Sequence, residues 1–230
     1  MDKIEFRIQP SFEARDHEVR ILVNGIDIIS NKMMGLDPVD ECEQSFFNQP
    51  ALTGSGELIY ARCNCGVVGC GSDLVVVSRD PQTVTWKPKP LPAACFVFDR
   101  HQYDDAVNHL MTDFTWETIE RTAERLTRDL NFADLSEYGL TFKWASAREN
   151  KETIAVAFDL DEEGEGKYQV LCYAPWDHQE PRVAAQNMEH ILKEPPSLWP
   201  NVVYYFQNQY SKSRPPIIAG AGWKAFSFKG

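Results

Sequence analysis

The chain has 230 residues, 25% of them charged and 43% hydrophobic, which excludes collagen-like, low-complexity and disordered chains. Asp and Glu number 34 against 23 Lys and Arg, a net charge of −11. That balance argues against nucleic acid as a partner, because phosphate backbones are bound by clustered bases.

Ile4, Phe6 and Ile8 alternate with polar residues and predict a first strand. Val19 to Val23 and Ile26 to Ile29 flank Asn24-Gly25, a hairpin signal, because a type I′ turn needs positive φ twice. Residues 31–56 read as irregular, rich in Gly and Pro. Strands follow at Glu57–Arg62, Asp73–Ser78, Thr83–Lys87 and Ala94–Phe98.

Two helices are predicted next. Asp99 stands as an N-cap with Gln102 at the capping-box position, ahead of the stripe Tyr103, Ala106, Val107, Leu110 and Met111. Thr115 is read as the cap of a second helix with Trp116, Ile119, Ala123, Leu126 and Leu130 on its apolar face. Glu117–Arg121 and Glu124–Arg128 are read as solvent-facing i, i+4 pairs. Period two returns in Leu140–Trp144. Thr153–Leu160 and Tyr168–Ala174 predict a hairpin across the acidic turn at residues 161–166. Pro181 opens a third helix carrying Val183, Ala184, Met188, Ile191 and Leu192, and Pro195-Pro196 ends it. Val202–Phe206 and Trp223–Phe228 are closing strands. The expectation is an α+β fold of mostly antiparallel sheet, with a central helical hairpin and a third helix in the C-terminal half. It forms one domain over residues 1–230, divisible into a mainly β part (1–98) and an α+β part (99–230).

The most specific feature is Cys63-Asn64-Cys65-Gly66-Val67-Val68-Gly69-Cys70-Gly71. Three thiols within eight residues, with glycines between them, suit a tetrahedral Zn²⁺ that takes four ligands. Cys42, in the polar stretch 40–43, is the best fourth ligand; Cys95, His101 and His109 are the others. Cys95 reads as a small buried residue of an apolar strand. Without zinc, the same residues form a tight hairpin with reduced thiols.

The C-x-C-x4-C spacing resembles the zinc loop that follows the core of SET-domain methyltransferases. The Asn-His-x-Cys segment that supplies that family's fourth ligand is absent, so methyltransferase activity is not implied. Over residues 18–145 the order of features resembles a group of uncharacterised bacterial proteins. Val23-Asn24-Gly25, Gly35-Leu36-Asp37-Pro38, Cys63 to Gly71, Val84-Thr85-Trp86 and Phe98-Asp99 with Tyr103 carry that resemblance. It implies no activity, cofactor or catalytic residue.

Nucleotide-binding glycine loops, HExxH and GxSxG motifs are missing. No apolar run nears ~18 residues and the opening MDKIEFRIQP lacks a signal-peptide core, so a cytoplasmic chain without membrane partners is expected. Six cysteines are too few for a disulfide scaffold. The acid excess sits in the middle: residues 101–200 hold 20 acids and nine bases, and residues 201–230 hold four bases and no acid. The reading this favours is a non-enzymatic cytosolic interaction protein of immunity type, neutralising a basic protein partner. The alternative is an enzyme of unrecognised type whose site joins the Cys63–Gly71 and Trp176–His178 loops, with no catalytic residue assigned.

Overall fold

The computed structural model describes residues 1–11, 17–39, 45–65, 70–89, 93–148, 150–162, 166–206 and 214–226. The fold is α+β and dominated by antiparallel sheet. The chain divides into two compact units, Met1–Trp116 and Glu117–Gly230.

In the first unit, β1 (Ile4–Pro10), β2 (His17–Val23) and β3 (Ile26–Asp27) form a three-stranded sheet. Val23 pairs with Ile26, so the turn is two residues long, with Asn24 at φ 52° and Gly25 at φ 79°. Both central residues occupy the left-handed region that a type I′ turn demands. A second sheet runs β4 (Met33–Gly35), β5 (Gly56–Cys63), β6 (Ser72–Arg79), β7 (Thr83–Pro88) and β8 (Phe96–Asp99) in sequence order. β4 lies in the stretch expected to be irregular. It is only three residues long, and Gly35 passes so close to the Val19 carbonyl that a side chain there would collide with backbone. The Gly35–Pro38 segment is thereby tied to β2: Leu36 O accepts from Val19 N at 2.9 Å and Gly35 N donates to Glu18 Oε2 at 2.8 Å.

Asp99 caps α1 (Arg100–Thr112) by accepting from Gln102 N at 3.0 Å. The Gln102 side chain does not return to the cap. It donates to Ile4 O at 2.9 Å and so fixes the helix on β1. Tyr103, Val107 and Leu110 are buried as the periodicity predicts, while Met111 is exposed. Phe6, Trp86, Phe98 and Tyr103 form a ring cluster with centroids 5.9–6.3 Å apart. Such contacts stabilise the core beyond simple burial.

In the second unit one sheet has the order β13 (Trp223–Ala225), β12 (Val202–Phe206), β11 (Gly166–Pro175), β10 (Thr153–Glu162) and β9 (Leu140–Ser146). Only β12–β13 is parallel. β10 and β11 pair without a register shift from Thr153↔Pro175 to Glu162↔Gly166. α3 (Pro181–Leu192) begins at its proline, as expected. Tyr204 and Trp223 lie in the core, and Trp199 stacks on Trp223.

The second helix departs from its expected form. α2 spans Ile119–Arg128 and its cap is Thr118, not Thr115. Thr115 donates through N and Oγ1 to the Asp113 carboxylate, which holds residues 113–115 in a turn, and Trp116 packs on His17. The helical pair expected as a hairpin is divided between the units. α1 packs on β1, β7 and β8, whereas α2 packs on α3 and β9. The buried face of α2 is Arg121, Ala123, Glu124 and Thr127, and Ile119 is exposed. Glu117 reaches Arg125 at 2.8 Å rather than Arg121. Glu124 Oε1 accepts from Ala147 N and from Arg148 Nε, both at 2.9 Å, and Oε2 lies 3.5 Å from Arg121. The polar side of this helix is thus its interior side, made tolerable because its buried charges are paired and hydrogen-bonded.

Candidate metal centre

Antiparallel pairing of β5 with β6 brings the two ends of the cysteine loop together. Cys63 is the last residue of β5, pairs with Met33 across β4, and donates its N–H to Gly71 O at 2.9 Å. Cys65 lies in the turn that follows, and Cys70 precedes β6. The three Sγ atoms all lie within 4.8 Å of one another, and those of Cys63 and Cys65 are 2.6 Å apart. Zn–S bonds of ~2.3 Å in a tetrahedron place sulfurs about 3.8 Å from each other, a spacing this cluster brackets. The three cysteines are therefore close enough to hold a metal ion. Cys63 is half-buried, and Cys65 and Cys70 are exposed, so an ion can reach them from solvent.

The cluster also has an electrostatic character. The Cys70 thiol is pushed up to about 11 by hydrogen bonds to Cys65 and Cys63 and by their thiolate charge. Three crowded sulfurs cannot all ionise in water, because each negative charge disfavours the next. A divalent cation would relieve that repulsion and take the thiolates as ligands. A protonated Cys70 is a weak nucleophile at neutral pH, because the thiolate is the reactive form.

The other candidates are placed as follows. Cys42 lies outside the described residues. Cys95 is exposed just ahead of β8 rather than buried in a strand, because the strand starts at Phe96. His101 and His109 are both on the exposed side of α1, and His101 pairs with Asp105 at 3.1 Å. Neither belongs to the thiol cluster. Ser55, between two glycines, is engaged structurally: its Oγ accepts from Arg79 N at 3.2 Å.

The Trp176–His178 loop belongs to the second unit. Its rings stack at 4.1 Å, and His178 has φ 59°. Nε2 lies 3.1 Å from Asn150 O and Nδ1 lies 3.6 Å from Glu120. Trp176 Nε1 donates to Glu180 O at the start of α3. These contacts tie the loop to α2, α3 and the turn before β10. Cavities of about 530 and 520 Å³ occur elsewhere, the first beside the start of α1 and the second beyond the end of α3; neither is lined by this loop or by the cysteines.

No helix among the described residues is long and apolar enough to cross a membrane. Comparison of the chain with family models, with curated proteins and with solved structures finds no match.

Proposed function

We propose that this is a non-enzymatic interaction protein in which Zn²⁺, held by Cys63, Cys65 and Cys70, clamps the β5–β6 hairpin. Its acidic second half meets a basic protein partner. The observation that carries the reading is the convergence of three sulfurs within 4.8 Å at the loop end of a hairpin. A thiophilic dication satisfies both their spacing and their mutual repulsion. A fourth position is left for Cys42 or a water. The partner reading rests on charge: 20 acids against nine bases in residues 101–200 favour fast encounter with a cationic surface, as an immunity-type neutraliser of a basic toxin requires.

Elemental analysis of purified protein tests the clamp. About one zinc per chain, lost in Cys65→Ser, is the expected result. Metal-free protein of unchanged stability, with all three loop thiols titratable, would remove it. Retention of basic proteins from a native lysate at low salt, and their release at high salt, tests the partner reading. Rapid alkylation of one loop thiol with loss of a measured activity would replace both with the enzyme reading.

A further inference from the structure

The second unit contains a cavity of about 520 Å³ bounded by three separate segments. They are the residues after α2, the short 3-10 turn Ala133–Tyr138, and the end of α3 with the residues after it. The volume falls within the range of ligand sites, roughly 300–1,000 Å³. Its apolar surface comes from Leu130, Leu135 and Leu192, with Tyr138 exposed alongside.

Two features give this cavity one sign of potential. Both helices present their C-terminal ends to it: Leu130 and Asn131 follow α2, and Leu192 and Lys193 end α3. Helix C-termini carry partial negative charge and favour cations. The lining also holds Asp134, Glu137 and Glu194, for which no ion pair occurs among the described residues. The one lining base, Lys193, is taken by Glu189 at 2.8 Å.

We propose that this cavity receives an Arg or Lys side chain of a basic protein segment. The methylene stem lies along the leucines and the tyrosine face, and the cationic head lies among the three carboxylates and the helix ends. Long cationic side chains have this divided character, an apolar stem with a charged tip, and Tyr adds attraction for the head. Charge complementarity selects the occupant. A protein segment is favoured over a free amine because the acid excess extends well beyond the cavity, so neighbouring bases of one chain gain as well. The inference rests on the partner half of the proposed function and names where that partner is gripped.

The test is binding of fluorescein-labelled nona-arginine to the full chain as purified, followed by polarisation at low salt. Two variants receive the same change in charge. One is Asp134→Asn, Glu137→Gln and Glu194→Gln, inside the cavity; the other is Glu152→Gln, Asp159→Asn and Asp161→Asn, outside it. Circular dichroism confirms that both fold. The cavity variant is expected to bind about tenfold more weakly, and the outer variant within about twofold of the parent, as near and far charges should differ. Equal weakening in both variants overturns the cavity and leaves the general acidic reading standing. No binding by the parent chain overturns both. Spermine displacing the peptide at equal concentration would assign the cavity to a free polyamine and overturn the protein segment as occupant.

Discussion

The β5–β6 and β10–β11 hairpins solve one problem in opposite ways. β10 and β11 run ten residues each in unbroken register, with Ile154 to Phe158 buried almost continuously. β5 and β6 run eight residues each, shift register between Ile59 and Ala61, and carry three thiols at the loop end that joins them. The long hairpin is fixed by its own side chains, since both faces of β10 are buried from Ile154 to Phe158 and a slip would undo the packing on each. The short one is irregular in register, and its loop carries groups that an external ion can cross-link. A long apolar register and a metal clamp are alternative ways to define a strand pair.

The largest expected break lies in the self-sufficient hairpin. Phe158 is fully buried against Phe132, Phe142 and Trp199. Phe158→Ala is expected to cost ~3–5 kcal/mol, seen as a lower urea midpoint of the second unit. An effect below about 1 kcal/mol would mean that the site collapses and refills. Next is the charge network behind the same sheet. Glu124→Gln removes the carboxylate that Arg121 and Arg148 face. Breaking such a pair costs ~3 kcal/mol, discounted within the usual range because Arg148 is partly solvated. Glu124→Gln combined with Arg148→Met should recover part of it, which a double-mutant cycle reads directly.

The proposed clamp sharpens the contrast. Zinc held at a hundredfold above its Kd adds ~2.7 kcal/mol, so a chelator should lower the melting temperature of the first unit and spare the second. The sign of the pH effect is fixed: ligands must lose protons, and the Cys70 thiol stands at about 11 without metal. Zinc affinity should therefore fall as pH is lowered. The smallest effect concerns a turn with no metal at all. At the β6–β7 turn, Asp80 accepts from Thr83 Oγ1, Gln82 N and Thr83 N, which holds its carboxyl below the usual carboxylate range. A depressed folded pKa stabilises above the unfolded value of ~3.9 and is lost as pH falls through the folded one. Asp80→Asn should flatten the acid limb of the first unit's stability curve below about pH 4, and an unchanged limb would discard the assignment.

Which features were legible follows from how local their causes are. Asn24-Gly25, the Asp99 cap and Pro181 at the head of α3 each act within four residues, and the sequence pattern names them correctly. The interior face of α2 was not legible. Glu124 and Arg148 meet across 24 positions and Glu117 and Arg125 across eight, whereas the i, i+4 spacing suggested solvated pairs. Cys95 misled because its apolar neighbours suggested a strand from Ala94, two residues before the observed start at Phe96. The convergence of Cys63, Cys65 and Cys70 was legible because they occupy eight consecutive residues. The cavity was not, since its lining comes from three segments that only the packed fold assembles.

Cys172 has a consequence for measurement. It sits fully buried in β11 opposite Val156, and burial pushes its thiol far up. A thiol reagent therefore meets two populations in one molecule. Exposed Cys95 is open to it at once, while Cys172 waits for its strand to separate from its neighbours. With reagent in excess, the slow phase of modification becomes a clock for the opening of the central strands, timed under native conditions and without denaturant.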